Sequence, residues 1–315
     1  MTLDEPPSMK GEEVLREMEQ AITSHSNYAI ALHRGAGKSA FCVSTAIYAL
    51  VTGKQKFLVI IANNARASCG LLNDIWKVFQ EPDSALVNDY PEVFLPFIVA
   101  HGSFRRRQLF KGRSLEIKKN ANELILPTYS DNRFKRASGS LVITRSVTGG
   151  LRGIRHGTMR PSMVMLDDLQ TTESAAHPEQ VEKLLDIIKS DVIPLAGKQR
   201  ISLLQTFTPI RVDDLVQKIR EDSNWRTTVY PAIMQMPTNM NLWDEYFRMW
   251  DSENVTGVPH DESLAFYDNN RAEMDDGVQV FNPTRFSEKD GHHSMIQKLL
   301  ELKHTLGESV FNAEY

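Results

Sequence analysis

The feature that most constrains this chain is a strand, loop and helix pattern near its N-terminus. The run Asn27–Leu32 is short and apolar, and the loop HRGAGKS follows it directly. A helical pattern extends over Lys38–Val51 and stops before Gly53. Gly35 and Gly37 let the backbone approach a phosphate closely, and the helix N-terminus adds the positive end of its dipole. The pattern therefore predicts a phosphate-binding loop between a buried strand and a helix.

The side chains of this loop indicate nucleotide chemistry. Lys38 offers a point charge for β- and γ-phosphates, and the Ser39 hydroxyl can reach Mg²⁺. Arg34 adds a second cation inside the loop. Leu32 stands where the general pattern begins with glycine, and the alternative is a tight turn that contains GAGKS by chance.

A second pattern, MVMLDD, places two carboxylates at the end of an apolar strand. Ligands of parallel sheets bind at the carboxyl ends of the strands, so Asp167 is expected beside the phosphate-binding loop. We interpret Asp167 as the carboxylate that holds magnesium and Asp168 as the carboxylate that activates water. The alternative is an acidic turn that caps the following helix.

A third pattern, LLQTFTPIRVDD, ends an apolar strand in Thr206 and Thr208 before Pro209. A hydroxyl at this strand end could sense the γ-phosphate through the attacking water. The residues alone favour the alternative, a strand end followed by a helix N-cap at Asp213.

Apolar runs and helical patterns alternate along most of the chain, which predicts an α/β fold with a mostly parallel sheet and helices on both faces. The remaining strands are expected at 57–62, 140–144, 163–166 and 201–206, and a helix is expected from Pro178 to about Val192. We expect residues 1–230 to form this core. Residues 231–315 are acidic and interrupted by prolines, and they predict a small lid or linker that ends in a helix near Met295–Leu306.

Charge is distributed unevenly. Residues 101–160 hold fourteen basic and three acidic side chains, a surplus of eleven, although the whole chain has a net charge of -4. A local surplus of this kind predicts a face that contacts the phosphates of nucleic acid. The basic residues are Arg105, Arg106, Arg107, Lys111, Arg113, Lys118, Lys119, Arg133, Lys135, Arg136, Arg145, Arg152, Arg155 and Arg160.

Two cysteines, Cys42 and Cys69, are too few and too isolated to indicate a disulfide framework or a zinc site. No apolar run reaches the roughly 18 residues of a membrane-spanning helix, so a location in the cytoplasm is expected.

In this order and spacing, HRGAGKS, FLVIIANNARAS, VTGGLRGIRHGTMRPSMVMLDDL and QTFTPIRVDDLVQKI resemble the ATPase domain of the large terminase subunit of tailed bacteriophages. The resemblance covers about residues 20–250. It implies a P-loop NTPase of the ASCE, RecA-like type that hydrolyses ATP with Mg²⁺ to move double-stranded DNA into a procapsid. His33 departs from the usual proline of the family's loop, and Asp168 stands where glutamate is usual.

The resemblance also implies roles for individual residues. Gly35, Ala36, Gly37, Lys38 and Ser39 would bind the nucleotide, and Arg34 would contact the γ-phosphate. Thr208 would couple hydrolysis to movement. Arg152, and after it Arg155, is a candidate for a finger that reaches the ATP of a neighbouring subunit; the alternative is contact with DNA phosphates or solvent.

Large terminases also carry a nuclease part, and this chain stops at Tyr315, about where that part would begin. The pairs Asp261, Glu262 and Asp275, Asp276 lie in loop-like sequence and are expected at the solvated surface. We therefore expect the motor part alone. The implied partners are DNA, the portal protein, the small terminase subunit and further copies in a ring. This ring is expected to be a pentamer when assembled, and the isolated chain a monomer, in the host cytoplasm and transiently on the procapsid.

Two other functions fit the same residues. One is another helicase or translocase, which would need a second sheet domain that the sequence after Tyr230 does not indicate. The other is a nucleotide-binding scaffold or regulator without motor activity.

Overall fold

The computed structural model describes residues 9–99, 109–110, 113–114, 117–129, 135–211 and 213–315. The chain divides into two compact units. The first contains Glu13–Ala31 and Gly37–Thr228; the second contains Leu32–Ala36 and Val229–Tyr315, together with residues 9–12.

The strands of the described residues are β1 (Asn27–Leu32), β2 (Phe57–Ala62), β3 (Leu109–Phe110), β4 (Arg113–Ser114), β5 (Lys118–Lys119), β6 (Glu123–Ile125), β7 (Leu141–Ser146), β8 (Met163–Asp167), β9 (Ser202–Phe207), β10 (Arg226–Tyr230), β11 (Ile233–Gln235) and β12 (Gln279–Val280).

The helices of the described residues are α1 (Met9–Ser24), α2 (Lys38–Val51), α3 (Ala65–Gln80), α4 (Ala85–Asp89), α5 (Pro91–Val99), α6 (Thr172–Ala175), α7 (Pro178–Ile187), α8 (Leu215–Glu221), α9 (Met240–Thr256), α10 (Asp261–Met274), α11 (Met295–Leu306) and α12 (Glu308–Glu314). The predicted helix from Pro178 continues past α7 as a π-helical segment (Ile188–Val192) and a 3-10 segment (Ile193–Ala196).

The main sheet confirms the predicted fold class. Its order is β10-β1-β9-β8-β2-β7-β6-β5. The pairs β1–β9, β9–β8, β8–β2 and β2–β7 are parallel, and β7–β6 and β6–β5 are antiparallel. The strand β9 lies between β1, which leads into the loop, and β8, which carries the aspartates. An additional strand between the strand that precedes the loop and the strand that ends in a carboxylate is the order expected for the ASCE type of P-loop NTPase.

Helices cover both faces of this sheet. On one face, α7 and α8 contribute Val181, Leu184 and Ile219 to a core that also holds Val59, Val164 and Leu203 of the central strands. On the other face, α2 packs on β8 and β9, and α3 packs on β2 and β7. The central strands are apolar on both sides because both sides are covered. Each fully buried Val, Ile or Leu contributes about 1.5–3 kcal/mol relative to an exposed one.

The second unit differs from the prediction. Residues 231–315 were expected to form a proline-interrupted lid or linker that ends in a helix near Met295–Leu306. That helix is present as α11, but α9, α10 and α12 fill most of the rest, beside the antiparallel pair β11–β12. Trp243, Tyr246 and Tyr267 form its core. The helices α9 and α10 were missed because the prolines were taken to interrupt the whole stretch, whereas Pro259 lies in the short loop between these two helices.

The acidic pairs of this unit lie at the two ends of α10. Asp261 and Glu262 form the first turn of α10, where negative side chains meet the positive end of the helix dipole. Both are exposed, as expected, and so is Asp276. Asp275 is half-buried and accepts a hydrogen bond from Tyr267 Oη at 2.9 Å, so it is not simply a solvated surface residue.

Within the described ranges, no helix is both long and apolar enough to cross a membrane.

Candidate functional site

The loop before α2 has the backbone geometry that a phosphate site requires. Gly35 and Gly37 have φ values of 80° and 93°, which L side chains rarely adopt. A Cβ on Gly35 would meet no atom within 4 Å, so the loop faces open space there. Gly37 is the N-cap of α2 and supplies no side-chain cap. The first turn of α2 can therefore offer its N–H groups to an anion.

Lys38 joins two of the other predicted site residues. Its Nζ donates a hydrogen bond to Thr208 Oγ1 at 2.6 Å and lies 3.6 Å from Asp168 Oδ2. Only 10% of the lysine side chain is exposed. The ends of β8 and β9 thus bring a carboxylate and a hydroxyl to the lysine of the loop, which the sequence patterns predicted separately.

Asp168 is held in an unusual backbone conformation. Its φ is 40°, a left-handed value that costs a non-glycine residue about 1–3 kcal/mol. Its N–H donates to the Thr206 carbonyl at 3.0 Å, and its Oδ1 accepts from the Thr208 N–H at 3.0 Å. Partial burial raises the pKa of the Asp168 carboxyl, although Lys38 and the Thr208 N–H act in the opposite direction.

Asp167 lies deeper, at the end of β8, and is 8% exposed. Its Oδ1 accepts a hydrogen bond from Thr206 Oγ1 at 2.7 Å and lies 3.7 Å from Cys42 Sγ. Burial raises the pKa of the Asp167 carboxyl, and the neighbouring charge of Asp168 adds to the shift. A cation at this carboxylate would relieve both effects.

The donor set fits Mg²⁺. Ser39 lies in the first turn of α2 and Asp167 ends β8, so a hydroxyl and a carboxylate oxygen are offered. The described residues contain no group of three or more His, Cys, Asp or Glu side chains that could hold a metal. Mg²⁺ needs no such cage, because it usually keeps several waters and binds one or two carboxylates together with substrate phosphates.

The first half of the loop, residues 33–36, belongs to the second unit and is held by contacts within that unit. The Arg34 N–H donates to the Glu314 carbonyl at 2.8 Å, and Arg34 Nη1 lies 2.9 Å from Glu314 Oε2. The His33 ring packs edge-on against Phe281 with a centroid distance of 5.2 Å. His33 thus fills with an aromatic contact the place where the resembled family has proline. Ala36 is buried, and its N–H donates to the His33 carbonyl.

Arg152 and Arg155 lie on the exposed side of a segment that Leu151 and Ile154 anchor in the core. The structure does not bring Arg152 to Lys38; its Nε instead lies 2.8 Å from Asp191 Oδ1 and holds the pKa of that carboxyl below its usual value. The arginine side chain is 81% exposed. It is therefore accessible to a neighbouring molecule.

Of the basic residues between 101 and 160, Lys135, Arg136, Arg155 and Arg160 are exposed, as is Arg152. Lys118 is exposed as well and pairs with Glu123. The side chains of Arg105, Arg106, Arg107, Lys111, Arg113 and Arg133 lie outside the described part of the chain.

Three residues around the site were not predicted from the sequence: Cys42, Gln170 and Asp214. Cys42 follows Lys38 by four positions on the same face of α2, which is a signal that could have been used. No local sequence signal marked Gln170 and Asp214, because they meet only in the folded chain. Gln170 Nε2 donates a hydrogen bond to Asp214 Oδ2 at 2.9 Å, and the two residues lie in separate loops. The helix after β9 is capped by Asp214, not by Asp213 as the alternative interpretation of this stretch expected.

No protein-family model matches the chain, and no curated protein sequence matches it either. Among solved structures it is similar to the ATPase domain of the large terminase of Thermus phage P74-26, with 14% identity over 83% of this chain and 96% of that chain and a TM-score of 0.43.

Two further structures are similar to the chain. One is a large terminase from a thermophilic bacteriophage, with 12% identity over 72% of this chain and 46% of that chain and a TM-score of 0.36. The other is a DEAD box protein from Methanococcus jannaschii, with 12% identity over 79% of this chain and 62% of that chain and a TM-score of 0.36. At these identities the function has to be argued from the residues of the site.

The strand order and the loop define the chain's fold class: an α/β P-loop NTPase fold of the ASCE, RecA-like type.

Proposed function

We propose that this chain is an ATPase whose site is formed by the loop before α2 and by the ends of β8 and β9. The observation that supports this most directly is the meeting of Lys38, Asp168 and Thr208, with the lysine within 2.6 Å of the threonine hydroxyl and 3.6 Å of the carboxylate. A phosphate chain at the N-terminus of α2 would lie beside the lysine, and the γ-phosphate would point to the two strand ends.

Within this site each residue has one task. Lys38 leaves Thr208 and Asp168 to bind the β- and γ-phosphates. The backbone of Gly35, Ala36 and Gly37 lines the phosphates, with the N–H groups of Gly35 and Gly37 as donors, and Arg34 contacts the γ-phosphate once Glu314 releases it. Ser39 and Asp167 would hold Mg²⁺, which neutralises phosphate charge when it is bound.

Asp168 is proposed as the base that orients and deprotonates the attacking water. Its Oδ1 is occupied by the Thr208 N–H, and its Oδ2 faces Lys38. When Lys38 turns to the phosphates, Oδ2 becomes available to water. A raised pKa makes the carboxylate a better proton acceptor, which favours general-base catalysis.

We further propose that hydrolysis drives double-stranded DNA into a procapsid, as the motor part of a phage large terminase. The four sequence patterns that resemble this family support the proposal, and so does the surplus of eleven positive charges between residues 101 and 160. In this proposal residues 1–230 are the motor core and residues 231–315 a lid or linker. Thr208 couples hydrolysis to movement.

The assembled motor would be a ring of copies on the portal protein, working with the small terminase subunit. The exposed Arg152 would reach the ATP site of a neighbouring copy. The protein would act in the host cytoplasm and on the procapsid for the time of packaging.

Steady-state ATP hydrolysis by the wild type, Lys38→Ala and Asp168→Asn tests the enzymatic part. Both variants are expected to lose turnover by about 10²–10⁴-fold, and Asp168→Asn is expected to keep nucleotide binding because the loop is unchanged. Lys54→Ala is the matched control, since it removes a lysine that pairs with Glu19 away from the loop. Full activity in Asp168→Asn would show that another group serves as the base.

The motor part is tested by adding double-stranded DNA to the ATPase assay at increasing salt. Stimulation is expected to be independent of DNA sequence and to weaken steeply with salt. A nucleotide-binding scaffold would show tight ATP binding without turnover. A helicase would separate the strands of duplex DNA in the same assay. A two-core helicase also needs a second parallel sheet, and Val229–Tyr315 holds helices and one two-stranded sheet instead.

A further inference from the structure

A buried amide ties together the two loops that carry Asp168 and Thr208. Gln170 is 5% exposed and follows Asp168 by two positions. Its Nε2 donates to the Thr208 carbonyl at 3.3 Å and to Asp214 Oδ2 at 2.9 Å, and its Oε1 accepts from the Leu215 N–H at 3.0 Å. A buried amide that uses both its donor and its acceptor fixes the position of what it touches.

The N–H and the carbonyl of Thr208 are therefore both hydrogen-bonded to side chains of the loop after β8. Its N–H donates to Asp168 Oδ1, and its carbonyl accepts from Gln170 Nε2. These two contacts fix both peptide groups of the residue whose hydroxyl binds Lys38. The direction of that hydroxyl therefore depends on the loop after β8 as well as on β9.

Asp214 anchors the other end of this connection. It is 1% exposed, and its Oδ2 accepts from the N–H groups of Ile210 and Arg211 at 2.9 and 3.3 Å. Its Oδ1 accepts from Val216 and Gln217 at the start of α8. The Asp214 carboxylate thus links the residues before it to the first turn of α8. Gln170 donates a side-chain hydrogen bond to the same carboxylate from the loop after β8.

Both loops contain a residue in a strained conformation. Asp168 has a φ of 40°, and Asp213, directly before Asp214, has a φ of 62°. Such conformations persist where the surrounding contacts over-determine them. Gln170, in the loop after β8, hydrogen-bonds Asp214 and Leu215 at the end of the loop that contains Asp213. The hydrogen bonds between the two loops therefore stabilise the conformations of both.

We infer that Gln170 is a positioning residue for ATP hydrolysis, which acts by holding Thr208 in register with Lys38 and Asp168. The inference rests on the proposed ATPase function. The hydrogen bonds of the Gln170 side chain go to the backbone of Thr208 and Leu215 and to the carboxylate of Asp214. Loss of its amide should therefore impair turnover more than nucleotide binding.

The test compares Gln170→Met with Gln205→Met. Gln205 is also fully buried, on β9, but neither of its amide atoms has a hydrogen-bond partner among the described residues. Methionine keeps the length of both side chains and removes both amides. We expect Gln170→Met to lower kcat about 10- to 100-fold with KM for ATP within about threefold, and Gln205→Met to leave both near wild type. A kcat of Gln170→Met within about twofold of Gln205→Met overturns the inference.

A double-mutant cycle separates positioning from a general loss of structure. If Gln170 acts through Thr208, then Gln170→Met combined with Thr208→Val is no slower than Thr208→Val alone. Independent losses that multiply in the double variant would contradict this route.

Amide hydrogen exchange gives a readout that does not depend on activity. In Gln170→Met the peptide covering residues 206–215 should exchange faster than in the wild type, and in Gln205→Met it should not. Unchanged exchange overturns the positioning role. A wild type that hydrolyses no ATP would refute the proposed function, and the exchange result would still decide whether Gln170 holds this loop.

Discussion

The Lys38 ammonium donates a hydrogen bond of 2.6 Å to the Thr208 hydroxyl. The two residues lie on different elements, the first turn of α2 and the end of β9, and 170 positions separate them. The lysine proposed to bind phosphate is therefore in direct contact with the residue proposed to couple hydrolysis to movement. In this proposal phosphate competes with the Thr208 hydroxyl for Lys38, so nucleotide binding changes the contacts at the end of β9.

Thr208→Val removes this acceptor while keeping the shape of the side chain. We expect kcat to fall about 10- to 100-fold, because the hydroxyl no longer orders the site around the γ-phosphate. ATP affinity should be unchanged or tighter, since Lys38 no longer has to leave a hydrogen bond. Steady-state kinetics and equilibrium titration with ATP measure the two effects.

Thr208→Ser is the matched control, since it keeps the hydroxyl and should retain most of the turnover. Equal losses in Thr208→Val and Thr208→Ser would mean that the methyl group, not the hydroxyl, is required.

Asp168→Asn should make the protein more stable as well as inactive. The pKa of Asp168 is raised in the fold, mainly by burial, so the charged carboxylate is disfavoured there relative to the unfolded chain. A carboxyl with a raised folded pKa contributes stability below its unfolded pKa, and this contribution is lost as the pH rises through the folded pKa. Asparagine avoids that loss, keeps an oxygen for the Thr208 N–H and tolerates the left-handed conformation.

Thermal unfolding of the wild type and Asp168→Asn as a function of pH measures this effect. We expect the variant to melt at a higher temperature near pH 7 and the difference to shrink as acid protonates the wild-type carboxyl. A difference that is constant over the pH range would contradict the assignment of the effect to Asp168.

Much of this site could be predicted from sequence because its parts are local. Positive φ values at Gly35 and Gly37, a buried strand before them and a helix after them follow from neighbouring residues. The apolar run ahead of Asp167 likewise placed that carboxylate at a strand end. Parallel pairing then brings the strand ends together, so the meeting of the loop with Asp168 follows from the fold class.

What the sequence did not predict depends on contacts between distant segments. Nothing in the local sequence distinguishes Asp213 from Asp214, yet only Asp214 caps α8, while Asp213 takes the left-handed conformation. The link from Gln170 to Asp214 requires two loops to be already in place. The strand β10 was missed because its residues are mostly polar or partly exposed, and it gains its place by joining the sheet next to β1.

Glu314→Gln should strengthen nucleotide binding. Arg34 Nη1 lies 2.9 Å from Glu314 Oε2, and the arginine must leave this carboxylate to reach a phosphate. The arginine of this pair is exposed and the glutamate half-buried. Taking the roughly 0.2–1 kcal/mol of a solvent-screened ion pair, we expect ATP affinity to rise about 1.5- to 5-fold. Titration calorimetry at low salt measures the gain, which should fade as salt screens the pair in the wild type.

Glu308→Gln is the control for this variant. It removes a carboxylate of the same helix that pairs with Lys303, and it should leave ATP affinity unchanged. The same gain from both variants would point to a general charge effect and not to the release of Arg34.

Two glycine substitutions should have opposite effects on stability. Gly37 has a φ of 93°, so Gly37→Ala is expected to cost about 1–2 kcal/mol and to abolish ATP binding. Gly70 lies inside α3, and a Cβ there would meet no atom within 4 Å. Gly70→Ala should therefore stabilise the protein by about 0.5–1 kcal/mol and leave ATP binding intact. Chemical denaturation measures both; a loss of stability in Gly70→Ala would contradict the space seen around this residue.

Arg152→Ala tests whether an arginine acts between copies. Because the Arg152 side chain is 81% exposed, solvent screens its pair with the half-buried Asp191, and the arginine can leave this pair at modest cost to reach a neighbour. If Arg152 completes the neighbour's site, mixtures of wild type and Arg152→Ala should lose DNA-stimulated ATPase activity out of proportion to the variant fraction. The loss should be large, because an arginine finger can contribute a factor of about 10³–10⁵ to the rate. Asp191→Asn, which frees Arg152 without removing it, should show no such poisoning. A fall in activity that is linear in the fraction of Arg152→Ala would instead assign this arginine to its own chain or to DNA.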